Sequence, residues 1–223
     1  MTSPAQAFRQ RAEAKKHSAN EGLDSVNANA YEKQLLQLNE HRAQLKAIQS
    51  TEKKADRKRE ILPTYLPWIN GVLESGSGRQ DDVFMTVMVW AIDAAQWDLA
   101  LTMAAYAIEH SLVMPDQFHR TPGTVIAEEI ADAAKRNPES VPLEILQRAM
   151  TLTDDVDMHD QVRAKLYKAA GVARTQAGDL QGAERAYTRA LELNDSAGCK
   201  KDLEKVQAQI KRAQQENSTE QDE

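Results

Sequence analysis

Apolar positions along the chain recur every three to four residues, the spacing of an amphipathic helix, and strict alternation is absent. The strongest instance is Phe84, Val87, Met88, Ala91, Ile92 and Ala95, which predicts one buried helix face. A partner helix follows, with Leu101, Ala104, Ala105, Ile108 and Leu112 facing inward. Ile126, Ile130 and Ala134 mark another helix, ended by Asn137–Pro138, and Leu143, Leu146, Ala149 and Met150 a further short one. Upstream, Tyr31, Leu35, Leu38, Arg42 and Leu45 follow 4-3-4-3 spacing and Ile48 comes three residues later, a narrow seam interrupted by Arg42. Such a seam serves either self-association or one long helix laid on its own domain. Residues 1–27 are weakly periodic and are expected to form a mobile basic arm.

The expected architecture is all-α: a long N-terminal helix, a helical-hairpin body and a tetratricopeptide-like C-terminal hairpin. Its segments are an arm (1–27), a long basic, coiled-coil-like helix (28–62), a helical core (63–138), a hairpin region (139–215) and an acidic tail (216–223). Pro63 and Pro67 end the long helix, because proline lacks an N–H and restricts the residue before it. The segment GSGRQ is a loop, and Asp81 or Asp82 caps the next helix. In KLYKAAGVARTQAGDLQGAERAYTRALELND, Tyr167 and Gly171 take the large and small positions of the first helix. Gly178–Asp179 forms the turn, and Ala183, Tyr187 and Ala190 fill the second helix. Leu203, Val206 and Ile210 continue as a covering helix.

Composition agrees with helices: 41% of residues are apolar but only 5% aromatic. The single cysteine, Cys199, excludes an internal disulfide framework and a Cys-rich zinc site, and a reducing cytosol is the expected compartment. No signal peptide and no membrane-spanning run are expected. The net charge of −6 is uneven. Residues 1–60 carry 12 Lys/Arg against 8 Asp/Glu, and residues 61–223 carry 16 against 26. A basic front on an acidic body suits contact with an anion. Its candidate phosphate contacts are Arg9, Arg11, Lys15 and Lys16 in the arm and Lys53, Lys54, Arg57, Lys58 and Arg59 in the long helix.

Catalytic signatures are sparse. There is no GxxxxGK[ST], HExxH or GxSxG, and GSG before Arg79 lacks the preceding strand of a phosphate loop. No catalytic residue and no metal ligand is assigned. Asp81 and Asp82 are neighbours, so on a helix they point about 100° apart and are better read as a cap than as a metal pair. Trp68, Trp90 and Trp97 sit among apolar periodic residues and are read as core.

Taken together, MTSPAQ, YEKQLLQL, ILPTYLPWINGVL, QDDVFMTVMVWAID, EHSLVMPDQFHRTP and GDLQGAERAYTRALELN, in their chain order, resemble the GpM-type small terminase subunits of temperate tailed phages, which that family describes as terminase endonuclease subunits. The resemblance covers residues 1 to about 210. It implies a subunit that meets viral double-stranded DNA at the cohesive-end site. It further implies work in the host cytoplasm with a large subunit that supplies the packaging ATPase, Mg²⁺ and ATP belonging to that partner. A homo-oligomer is expected, and no membrane role. Two other functions stay open: a metal-dependent endonuclease in its own right, and a tetratricopeptide-like scaffold that binds a partner protein.

Overall fold

The computed structural model describes residues 3–19, 25–115 and 120–219. Residues 1–2 and 20–24, within the segment expected as an arm, residues 116–119 and residues 220–223 of the acidic tail lie outside the described residues. All regular structure among the described residues is helical, as the periodicity predicts. The chain divides into two compact units, Met1–Pro122 and Gly123–Glu223.

The first unit begins with α1 (Pro4–Ser18), where the sequence reading expects a mobile arm. The helix is held locally and at long range. Ser3 and Gln6 form a reciprocal capping box, Pro4 opens the first turn, and Lys15, Lys16 and His17 sit at the negative end of the helix dipole. Its buried Ala14 lies against Gly71 of α4 (Leu66–Ser75). A Cβ on Gly71 would sit 2.3 Å from the Arg11 carbonyl oxygen and 2.6 Å from the Ala14 Cβ. Glycine is therefore what lets the two backbones approach. Periodicity misses this packing because α1 buries small and polar groups, Ala14, His17 and Ser18, rather than an apolar stripe.

The helix predicted as continuous over 28–62 is two helices, α2 (Ser25–Ala47) and α3 (Thr51–Ile61). Ser50 makes the break. Its backbone is extended and its side chain accepts the Lys53 N–H at 3.3 Å, so it caps α3. The apolar seam of α2 turns inward: Leu38 is fully buried and Leu45 nearly so, while Leu36, off the seam, is 64% exposed. Pro63 falls in a 3₁₀ turn (Leu62–Thr64) and Pro67 in the first turn of α4.

Asp81 caps α5 (Asp82–Asp93), and the Gly76 left-handed C-cap of α4 precedes it. Helix α5 is buried on nearly every side, from Val83 to Ile92. It forms an antiparallel hairpin with α6 (Trp97–Glu109). Trp68 is fully buried and Trp90 6% exposed, in keeping with their reading as core.

The second unit holds α7 (Pro122–Arg136), α8 (Leu143–Leu152), α9 (Asp160–Gln176), α10 (Leu180–Leu193) and α11 (Lys200–Thr219). The division thus falls at the first residue of α7, a helix that the sequence reading places with the core at 63–138. Two local contacts tie α7 to this unit. Gly123 abuts Val156, and Lys165 of α9 reaches Glu128 and Asp132. The α9–α10 hairpin packs Gly171 against the Tyr187 ring, where a Cβ would meet ring atoms at 2.6 Å. Asp179 caps α10 by accepting the Gly182 N–H at 2.9 Å. Buried Ala183, Tyr187, Ala190, Cys199 and Val206 form a core that Leu203 and Ile210 of α11 close.

Gly71→Ala is expected to lower the stability of the full chain by about 1–3 kcal/mol, the usual cost of overpacking. It should also speed tryptic cleavage at Lys15 and Lys16. Thermal melts and limited proteolysis check both effects.

Candidate nucleic-acid interface

The cations proposed from sequence have different surroundings. Arg9, Lys15 and Lys16 are exposed on α1 and have no hydrogen-bond or ion-pair partner among the described residues. Arg11 is ion-paired to Glu74 of α4, which helps pin α1. On α3, Arg57 donates to Glu60 and to Gln44 of α2, both at 2.8 Å. Lys58 is ion-paired to Asp93. Arg59 pairs with Asp56 and donates to the Ala94 carbonyl at 3.0 Å. These four side chains are spent in part on holding helices together. Lys53 points to solvent and Lys54 is half-buried, and neither has a partner among the described residues.

Lys54 and Lys58 face a cleft that α2, α3 and α5 form together. The cleft has a volume of about 310 Å³ and is lined by Arg42, Leu45, Lys46, Lys54, Lys58, Thr86, Val89 and Trp90. Four of these side chains are cationic, and no carboxylate lines the cleft. Arg42 is fixed in place by donating to the Thr86 hydroxyl at 2.8 Å. Thr86 is itself buried, so the guanidinium is anchored from below with other N–H groups left to donate. Lys46 is exposed and unpaired among the described residues. Sequence reading takes Arg42 as an interruption of the α2 seam and leaves Lys46 out. The signal was present: Arg42 and Lys46 lie four apart on one helix face, and Lys46 is four residues before the Ser50 cap of α3. The α1 cations belong to a helix packed on α4 and α2, so the structure gathers one group at the cleft and leaves the other on a separate helix.

Beneath the cleft lies an aromatic contact. Trp90 meets Tyr65 edge-on at 6.0 Å, and the Tyr65 hydroxyl is 2.7 Å from His41 Nδ1. Burial, then the positive charge of Arg57, lowers the His41 pKa, which favours the neutral imidazole. Burial pushes the Tyr65 hydroxyl above its usual range, so it stays protonated.

The Asp81–Asp82 pair does not suit a metal. The Asp81 carboxylate accepts the Phe84 backbone N–H at 2.8 Å through Oδ1 and the Trp68 indole N–H at 2.9 Å through Oδ2. It is 1% exposed, and burial raises its pKa despite those two bonds. Asp82 is exposed and turned elsewhere. Among the described residues no group of three or more His, Cys, Asp or Glu side chains is arranged to hold a metal ion. No helix among them is long and apolar enough to cross a membrane.

The first unit thus carries a cation-lined, carboxylate-free cleft, a charge pattern that attracts anions. The family model for the phage small terminase subunit matches residues 35–161, a span that includes the cleft and more than half of the chain. The chain is 43% identical over 214 residues to the protein named "Terminase, endonuclease subunit" of Escherichia phage P2, covering 95% of this chain and 87% of that one. It is 29% identical over 178 residues to the "Probable terminase, endonuclease subunit" of Haemophilus phage HP1, covering 72% of this chain and 63% of that one. No solved structure matches. The chain belongs to the phage small terminase subunit family.

Trp68→Phe removes one N–H from the buried Asp81 carboxylate and is expected to cost about 1–3 kcal/mol near neutral pH. Burial places the folded-state pKa of Asp81 above its unfolded value, so stability from this site is greatest below the unfolded pKa and falls as pH rises through the folded pKa. The penalty of Trp68→Phe should therefore shrink as the pH is lowered and the carboxyl takes up a proton. Denaturant unfolding of both proteins across the acid range checks this.

Proposed function

We propose that this chain is the DNA-engaging small subunit of a phage packaging terminase, holding viral double-stranded DNA at the cohesive-end site while a large ATPase subunit cuts and translocates it in the host cytoplasm. The observation that carries the reading is the cleft in which Arg42, Lys46, Lys54 and Lys58 converge with no carboxylate lining it. Phosphate contacts of this kind set register and supply salt-dependent affinity without reading bases. Arg9, Lys15, Lys16 and Lys53, exposed and unpaired among the described residues, extend the positive surface available to the duplex. ATP and Mg²⁺ belong to the large subunit, and a homo-oligomer would repeat the cleft along the DNA.

The names of both relatives favour a second reading, in which this chain cuts DNA itself. The Asp81 oxygens are already committed to N–H donors, so no cutting step is assigned to these carboxylates. Nicking of cohesive-end DNA by the purified chain with Mg²⁺ or Mn²⁺ supports the second reading. Nicking only after the large subunit is added counts against it.

Binding of a cohesive-end fragment, followed by fluorescence anisotropy across salt, tests the first reading. Affinity of the native chain should fall steeply with salt. The double substitution Lys46→Glu and Lys54→Glu should weaken it and reduce the log–log salt slope by about 2, roughly one per lost phosphate contact. A salt-independent affinity, or an unchanged slope in the variant, contradicts the assignment.

A further inference from the structure

The second unit carries a groove that the DNA reading does not use. It runs along α9 and is walled by α7, Leu146 of α8 and the α10–α11 turn, with a volume of about 480 Å³. That is within the range of pockets that enclose a drug-sized ligand or a few side chains. Ala131, Ala134 and Leu146 form one apolar wall, and Ala169, Val172 and Ala173 form the other. The small side chains on both walls leave room for bulky apolar groups from another molecule.

The charges in the groove stand out from the unit around them. Residues 123–223 carry 14 Lys/Arg against 19 Asp/Glu, yet the groove is lined by Lys135, Lys165 and Lys168 and a single carboxylate, Asp132. That carboxylate is answered by Lys165, which lies 3.5 Å from it and 3.0 Å from Glu128. Lys168 gives its ammonium protons to the Ala197 and Gly198 carbonyl oxygens at 2.9 and 3.1 Å, which orders the α10–α11 turn but cancels no charge. Lys135 is exposed and has no partner among the described residues. Two uncompensated positive charges thus flank an apolar trough, in a unit whose net charge would repel an acidic ligand elsewhere.

We propose that this groove docks an acidic amphipathic segment of a partner protein, with bulky apolar side chains seated between the alanine walls and carboxylates reaching Lys135 and Lys168. Apolar burial would supply most of the affinity, and the lysines would select the sign and fix the register. The proposal rests on the reading above that the chain works with a large subunit, and it places that contact on the unit remote in sequence from the DNA cleft.

The test uses the full chain and fluorescein-labelled overlapping peptides that tile the cognate large subunit. Peptides combining apolar anchors with Asp or Glu should bind, and basic peptides should not. Ala173→Trp fills the trough, and Lys135→Glu reverses an exposed charge. Each should weaken binding at least tenfold, while Lys211→Glu on α11 should leave it unchanged. Undiminished binding by both Ala173→Trp and Lys135→Glu, or a preference for basic peptides, overturns the proposal. Co-purification with the intact large subunit separates the two levels of the argument. Equal capture by the native chain and by both variants removes the groove but keeps the partnership. No capture by the native chain removes the partnership itself.

Discussion

The indole N–H of Trp68 donates to the buried carboxylate of Asp81 at 2.9 Å, and much of the first unit is arranged around that bond. A carboxylate that is 1% exposed is costly unless donors surround it, and Asp81 accepts from α4 and from the first turn of α5. The bond fixes where α5 begins relative to α4. The faces of the same indole recruit two more helices. Tyr31 of α2 lies 6.0 Å from Trp68 and stacks at 4.5 Å on His17 of α1, whose ring is 5.9 Å from the indole. Burial is the main cause that lowers the His17 pKa, aided by the positive charge of Arg79, and burial pushes the Tyr31 hydroxyl up to about 12. Both changes favour the neutral forms that a stacked aromatic cluster prefers.

From that node the arrangement reaches the cleft through α5. The cap at Asp81 sets the rotation of the helix, and the rotation sets which side chains meet α2 and α3. Thr86, Val89 and Trp90 are those side chains, and Thr86 holds Arg42. Lys58 is drawn to the other end of α5 by Asp93. The cations are thus positioned by contacts that also stabilise the unit, and Lys46 and Lys54 remain free to meet an external anion.

Much of this was readable where the cause is local. Helix α5, the proline stop, the Asp81 cap and the α9–α10 hairpin each follow from periodicity or from a few residues of turn chemistry. What escaped depends on contacts distant in sequence. Helix α1 looks polar and mobile until Gly71 opens a backbone-to-backbone seat for it. Arg42 looks like a flaw in an apolar seam, because periodicity records the polarity of a position and not the reach of a long side chain to Thr86. The basic run at 53–59 looks uniform, although Arg57, Lys58 and Arg59 have carboxylate partners and Lys53 and Lys54 do not. The Ser50 break lies between these two errors: its capping chemistry is local, but one hydroxyl is a small signal against a long helical pattern.

Lysine acetylation footprinting of the full chain, with and without a cohesive-end DNA fragment, tests the central claim that the α2–α3–α5 cleft holds DNA phosphates. Mass spectrometry of the modified peptides should show Lys46 and Lys54 protected by DNA, with Lys200, Lys201 and Lys205 of α11 labelled as in the free protein. Protection confined to α11, or no protection of Lys46 and Lys54 under conditions where the fragment is bound, would contradict the account.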